Sequence, residues 1–346
     1  MDSRETVAEG RRALRYHGGN INAARAVFPE APEPWIDLST GINPVPYPVG
    51  VVAPSAWTRL PEPTECAVLE AAAGAAYGAK PSTGIVAAPG TQSLIQWLPR
   101  LWPAQRVGVL GFTYGEHETC WQAAGADVTS VTELADLARL DIGVVVNPNN
   151  PDGRIVPPNQ LAEIAGVLDR RGGRLIVDEA FMDVSGRQSS LVPCLPAAGA
   201  VVLRSFGKAY GLAGLRLGFA VARPEDCALL RSAMGPWPVS GPAIAIGRRA
   251  LEDATWLAET IARLDVEAAR LDRLLQSAGC GIAGGTRLFR LAELPGAEGL
   301  FERLCQAGIL CRPFRSKSDW LRFGIPHSPE QWRRLEAALW RGLAGC

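Results

Sequence analysis

Short, continuous apolar runs recur along residues 64–222, bounded by turn-forming residues and separated by stretches of helical spacing. They are TGIVAA (83–88), RVGVL (106–110), IGVVV (142–146), RLIVDE (174–179) and AVVLRS (200–205), rich in β-branched residues and of strand length. Between them, Leu161, Ile164, Ala165 and Leu168 fall at i, i+3, i+4 and i+7, the stripe of one helix face. A strand that is apolar all round must be covered on both sides. The alternation therefore demands an α/β fold with a mostly parallel central sheet and helices on both faces. In such sheets ligands sit beyond the carboxyl ends of the strands, so chemistry is expected in the polar residues that follow each strand.

The pattern changes after MGPWPVSGP (234–242). A helical tract over 243–278 is followed by strand-like TRLFRL (286–291), a helix near 297–307, a short ILC, WLRFGIP and a last helix. That helix opens with Ser328-Pro329-Glu330-Gln331, in which serine caps, proline suits the first turn and Gln331 reaches back. The expected division is an arm over 1–45, a large domain over 46–240 and a smaller α+β domain over 241–346. The arm is rich in Pro, Gly and Asn, with one short helix around 20–27. With 47% hydrophobic residues the chain has ample material for two cores.

Charge narrows the function classes. Lys and Arg total 35 against 35 Asp and Glu, a balance that argues against nucleic acid or an anionic membrane as the main partner. A few local arginines still suffice for a small anion. The segment MDSRETVAEGRR carries no apolar core and no run approaches a membrane span, so a soluble, cytoplasmic chain is expected. The eight cysteines form no C-x-x-C pair and the three histidines, His17, His117 and His327, are scattered, so no metal site is expected. Neither a G-x-x-x-x-G-K-[ST] loop nor a G-x-S-x-G elbow is present.

Four strand ends carry the chemistry. After the run 200–205 come Ser205-Phe206-Gly207-Lys208-Ala209-Tyr210-Gly211 and then Leu212-Ala213-Gly214-Leu215-Arg216-Leu217-Gly218. A lysine among aromatics and glycines has its ammonium form destabilised, which frees the amine to attack a carbonyl. Ser205 and Arg216 beside it suit a phosphate. Asp178, in Asp178-Glu179-Ala180-Phe181, leaves a buried strand and is expected to meet a cation. Asn147-Pro148-Asn149-Asn150-Pro151-Asp152-Gly153 is by composition a turn. Pro89-Gly90-Thr91-Gln92 precedes a helix with Leu94, Ile95 and Leu98 on one face, and the free amides at its start form an anion site.

Together these segments resemble the pyridoxal-phosphate enzymes of the aspartate aminotransferase fold type, in the class I/II group. The resemblance implies pyridoxal 5'-phosphate as cofactor, linked to Lys208, with Asp178 pairing its ring nitrogen and Asn150 bonding its phenolic oxygen. Gly90, Thr91 and Gln92, helped by Ser205 and Arg216, would cradle the phosphate. Tyr114, in Phe112-Thr113-Tyr114-Gly115, matches the aromatic that stacks on the ring, with His117 as the alternative. Three positions depart from the family pattern: Phe181 in place of a tyrosine, Gly207 in place of Ser or Thr, and Leu60 in place of a tyrosine that reaches a neighbouring subunit. A homodimer is implied by the resemblance alone.

Arg322, in Trp320-Leu321-Arg322-Phe323-Gly324, matches the arginine that grips a substrate α-carboxylate, and Arg312 serves the same anion or a second one. The arm, with His17-Gly18-Gly19-Asn20 and Ile36-Asp37-Leu38-Ser39-Thr40-Gly41-Ile42-Asn43-Pro44, resembles the L-threonine-O-3-phosphate decarboxylases of the cobalamin pathway. These are close relatives of histidinol-phosphate aminotransferases. The resemblance implies a phosphorylated amino acid as substrate, its phosphate bound by His17, Gly18, Gly19, Gly41 and Asn43. It also implies loss of carbon dioxide, giving (R)-1-amino-2-propanol O-2-phosphate. Transamination of the histidinol-phosphate type is the alternative, because the two reactions differ in which bond at Cα stands perpendicular to the ring. A non-catalytic protein on this fold is disfavoured by the joint presence of Lys208, Asp178 and Asn150.

Phe181 yields a test. The missing phenol would have bonded the ring oxygen and favoured the deprotonated lysine–cofactor linkage. Phe181→Tyr is expected to lower the pH midpoint of that linkage's visible absorbance, and a midpoint that stays put or rises refutes the assignment of position 181.

Overall fold

The computed structural model describes Gly10, Leu14, residues 16–195 and residues 199–340; most of the polar N-terminal stretch and Cys346 lie outside these. The chain divides into two compact units, one from Pro46 to Glu259 and one made of the segment up to Val45 together with Thr260 onward. The arm expected over 1–45 therefore packs as part of the smaller unit, and the division falls at 259/260 where 240 was expected.

First in chain order, a short helix α1 (Ile21–Val27), capped by the side chain of Asn20, and strand β1 (Ile36–Asp37) belong to the smaller unit. The larger unit follows. Its strands are β2 (Gly84–Ala88), β3 (Arg106–Leu110), β4 (Asp127–Val131), β5 (Ile142–Val146), β6 (Arg174–Asp178), β7 (Ala200–Ser205) and β8 (Gly218–Ala222). They form one sheet in the order β2-β8-β7-β6-β5-β3-β4, parallel throughout except for β8, which runs against both neighbours. Five of the strands are the five apolar runs of the sequence. The other two lie outside those runs: β4 is a half-exposed edge strand, DVTSV, with no apolar run to betray it, and β8, GFAVA, continues directly from the segment carrying Lys208 and Arg216.

Helices α2 (Pro63–Tyr77), α3 (Thr91–Leu101), α4 (Gly115–Ala123), α5 (Pro158–Asp169), α6 (Phe206–Ala209), α7 (Pro224–Met234) and α8 (Gly241–Glu252) complete the larger unit, with the start of α9 (Ala254–Ser277). Helix α2 starts on a capping box between Glu62 and Glu65 behind a first-turn proline. Helix α5 buries Leu161, Ile164, Ala165 and Leu168, the stripe read from the sequence. Helix α3 buries Leu94, Ile95 and Leu98 in the core with Val86, Val107, Ile176 and Leu203 of the sheet. The helical tract expected over 243–278 is two helices, because the Asp253 carboxylate accepts the Trp256 amide (3.0 Å) and starts a new one.

The smaller unit holds β9 (Gly281–Thr286), β10 (Phe289–Glu293), β11 (Ile309–Leu310), β12 (Arg312–Phe314), β13 (Lys317–Gly324), α10 (Ala297–Gln306) and α11 (Pro329–Trp340). Strands β12-β13-β10-β9 form an antiparallel sheet, while β1 pairs in parallel with β11. TRLFRL, read as one strand, turns at Arg287-Leu288 and contributes to two. The segment after β1 continues along the sheet, with Leu38 O accepting the Gly324 amide (2.7 Å). No helix among the described residues is long and apolar enough to cross a membrane.

At the ends of β6 and β7 a fully buried cluster ties the larger unit together. The Glu179 carboxylate accepts from Ser190 Oγ (2.6 Å), the Leu191 amide (2.7 Å) and Arg204 Nη1 (3.0 Å). Arg204 also donates to Asp183 and lies 4.2 Å over the Tyr77 ring. Burial pushes the Glu179 carboxyl up against these donors. Burial likewise opposes the Arg204 charge, but Asp183 and Glu179 outweigh it and keep the guanidinium protonated. Arg204→Met, which strands two buried carboxylates, is expected to lower the unfolding free energy by about 3–5 kcal/mol in urea titrations; a loss below about 1 kcal/mol refutes this role.

Candidate active site

Five strand ends of the larger unit meet around a cavity of about 160 Å³ lined by Gly90, Thr91, Gln92, Tyr114, Asn150, Asp178, Phe181, Ser205, Lys208 and Arg216 among others. All nine cofactor-site residues named from the sequence are on that wall. Each arrives there for a local reason.

The anion end is built where β2 turns into α3. Gly90 has φ +79°, and a Cβ there would stand 2.5 Å from Arg216 Nη2, so only glycine lets the guanidinium lie against the helix start. Arg216 itself is held at φ +53° and donates to Ala213 O (3.2 Å). The result is a helix N-terminus with a guanidinium against it, a seat for a doubly charged phosphate.

The segment Asn147–Gly153, a turn by composition, is locked in place by asparagines. Asn147 bonds the Val156 backbone in both directions (3.1 and 2.8 Å). Asn149 accepts from Thr113 Oγ1 (2.6 Å) and donates to Phe112 O (3.0 Å) and Asp152 (2.8 Å), which ties the loop after β5 to the loop after β3. Between them Asn150 is presented to the cavity. Neither Asn147 nor Asn149 was singled out from the sequence, since a structural asparagine in a turn carries no signal of its own.

Asp178 closes β6, 3% exposed. One carboxylate oxygen accepts the Ala180 amide (3.0 Å) and the other lies 2.9 Å from Nε2 of His117, which is fully buried. That contact separates two residues left as alternatives by the sequence. His117 is engaged beneath the wall as the partner of Asp178, while Tyr114, edge-on to it with centroids 6.2 Å apart, lines the cavity. Burial first, then the charges of Glu116 and Asp178, push the Tyr114 phenol well up, so it remains a hydroxyl donor.

Lys208 sits on the one-turn helix α6 directly after β7, its Nζ 5.7 Å from the centre of the Phe181 ring. Aromatic residues brace this turn: Phe206 stacks on Tyr210 (4.4 Å) and Tyr210 on Trp256 (5.6 Å), while the Tyr47 amide donates to Tyr210 O (2.9 Å). The departure at Gly207 has a steric cause. A Cβ there would stand 2.7 Å from Ala213 Cα, a backbone atom that has little room to yield.

The substrate residues named from the sequence lie in the smaller unit. Arg312 and Arg322 are direct cross-strand partners on β12 and β13. Arg322 Nη2 donates to Ser39 O (2.7 Å) and Arg312 donates to Tyr16 O. The Gly19 amide donates to Ser39 Oγ (2.7 Å), and that hydroxyl donates to Asp37 (2.5 Å). His17 is exposed, edge-on to Tyr16. Burial first, then Arg312, press the Arg322 guanidinium down to about 9 against the pull of Asp37, a strain that a bound anion relieves. Gly41 and Asn43 are buried. Asn43 Oδ1 accepts from Arg263 Nη2 (2.7 Å) and the Val45 amide (3.1 Å). Arg263 was not read from the sequence, because on α9 it looks like any solvated helix charge paired to Glu267.

The wall of the larger unit's cavity thus combines an amine, a carboxylate with its own partner and a phosphate seat, the donor set that an aldehyde-bearing, phosphorylated pyridine requires. Comparison with known proteins agrees. A threonine-phosphate decarboxylase of Pseudomonas aeruginosa is 42% identical, the match covering 93% of this chain and 96% of the relative. One of a Sinorhizobium species is 44% identical, covering 94% and 97%. Among solved structures, the histidinol-phosphate aminotransferase of Sinorhizobium meliloti in complex with pyridoxal-5'-phosphate shares the fold with a TM-score of 0.81 at 20% identity, covering 94% of this chain and 95% of that one. The model of the family described as "Aminotransferase class I and II" matches residues 51–339. A match of that extent places the chain in the aminotransferase class I and II family.

Proposed function

We propose that the chain is a pyridoxal-phosphate-dependent threonine-phosphate decarboxylase. It converts L-threonine O-3-phosphate to (R)-1-amino-2-propanol O-2-phosphate and carbon dioxide, as a cytoplasmic enzyme of cobalamin biosynthesis. The observation that carries the chemistry is the convergence of Lys208, Asp178 and the Gly90–Arg216 anion seat on one cavity. The likeness to the two decarboxylases over nearly the whole chain carries the reaction and the substrate.

When bound, the cofactor supplies an electron sink for the pair left behind by a bond broken at Cα. The chain does the rest. Lys208 would hold the cofactor through its amine. Asp178, oriented by His117, would hold a proton at the ring nitrogen, and Asn150 would donate to the ring oxygen. The amides at the start of α3 bind the phosphate with Ser205 and Arg216, and Tyr114 covers the ring. In the smaller unit Arg322, with Arg312, grips the carboxylate in a bidentate fork and so sets which bond at Cα is aligned for cleavage. His17, Gly18, Gly19, Gly41 and Asn43 take the substrate phosphate, with Arg263 holding the Asn43 amide by its oxygen.

The homodimer belongs to the same proposal. In the larger unit a groove of about 330 Å³ runs between residues 55–68 and α8, with Leu60, Val68, Ile244 and Ala245 in its lining. Leu60 is 62% exposed, and Val51 and Trp57 in the same stretch are more exposed still. Apolar surface of this kind on a neutral chain is what a second copy covers. Leu60→Asp is expected to turn a dimer into a monomer in sedimentation velocity; a wild-type monomer, or a variant that stays dimeric, refutes that interface.

The reaction is tested by incubating the protein and pyridoxal phosphate with O-phospho-L-threonine in the absence of any keto acid and following carbon dioxide. Release is expected, with Arg322→Lys raising KM by about tenfold or more as the fork is lost. Turnover only after adding histidinol phosphate and 2-oxoglutarate assigns the chain to the aminotransferases, and no release with either pair overturns the proposal.

A further inference from the structure

Two side chains that no step above uses join the anion seat to the aromatic wall. Tyr114 donates its hydroxyl to Gln92 Oε1 (3.1 Å), and Gln92 Nε2 donates to Glu116 Oε2 (2.8 Å). The direction of this relay is dictated by chemistry. An ionised carboxylate only accepts, so the amide must turn its NH₂ to Glu116 and its oxygen to the phenol. The phenol is held protonated by burial and by the charges of Glu116 and Asp178, so it has a hydrogen to give. Glu116 lies in the first turn of α4, where the helix dipole favours an anion. Gln92 is the second residue of α3, the helix whose free amides form the anion seat.

We infer that Gln92 and Glu116 are positioning residues that fix the plane of the Tyr114 ring against the cofactor and lock it to the phosphate seat. The inference rests on the cavity holding pyridoxal phosphate and is independent of which substrate is consumed. Tyr114 stands at the start of α4, partly buried against the core, and its hydroxyl tip is held as well. Here the tip is anchored to the same helix turn whose backbone holds the phosphate. One residue, Gln92, thereby serves the cofactor twice, through its main chain at the phosphate and through its side chain at the face of the ring.

The test reads the bound cofactor directly. Each apoprotein variant is titrated with pyridoxal phosphate, and the visible circular dichroism of the complex and the dissociation constant are recorded. Gln92→Leu and Tyr114→Phe are each expected to diminish the dichroic band and to weaken binding by about fivefold, the loss of one buried hydrogen bond. The double variant is expected to be no worse than Gln92→Leu alone, since both changes cut the same relay. Glu116→Gln, which keeps an acceptor, restores the wild-type band, whereas Glu116→Leu does not. Additive losses in the double variant, or a Gln92→Leu complex with the wild-type band and affinity, overturn the inference. A wild-type protein that develops no visible band overturns the cofactor reading instead, and this inference with it.

Discussion

Arg204 is an arginine only 4% exposed, held between the carboxylates of Glu179 and Asp183 behind the ends of β6 and β7. Strand residues alternate in direction, so Glu179 and Arg204 face away from the cavity while their neighbours Asp178 and Ser205 face into it. A charge cluster of this kind tolerates little displacement, because any shift that separates the partners exposes an uncompensated charge to a low dielectric. It therefore sets the spacing between the end of β6, which carries Asp178, and the end of β7, from which Lys208 departs. The chemistry of the cavity depends on that spacing. The cluster itself touches none of the reacting groups.

The two units answer the same electrostatic problem in different ways. In the larger one, an anion is met by main-chain amides, a glycine and one arginine lying flat against them. In the smaller one, two arginines stand side by side across a strand pair, with Asp37 and Ser39 organising the arm around them. Amides carry fixed partial charges and suit a resident phosphate. A forked guanidinium under desolvation strain, as at Arg322, suits an anion that binds reversibly.

Most of the fold was legible because buried parallel strands have no polar face to hide, and the five apolar runs became five strands of the sheet. The missed strands show the limit of that signal. An edge strand such as β4 need be apolar on neither side, and β8, GFAVA, is a short apolar run that continues straight on from the segment carrying Lys208 and Arg216. The break at Asp253 was invisible for another reason, since a single capping carboxylate outweighs a continuous helical pattern only once Trp256 is there to donate to it.

In the site, residues whose chemistry is their identity were readable: a lysine, an aspartate and an arginine immediately after strands. Residues that act by touching another side chain were not. His117 against Asp178, Arg263 against Asn43 and Gln92 between Tyr114 and Glu116 join positions 22 to 220 residues apart. The sequence alone determined five buried strands of the sheet and the segments that mark the family, Lys208 among them, because periodicity and residue type are local properties. Which of Tyr114 and His117 faces the cavity, why Gly207 replaces a hydroxyl residue and how the arm joins the smaller unit were decided by tertiary structure. Hydrogen bonds and close contacts depend on distances through space, and the order of residues along the chain does not specify them.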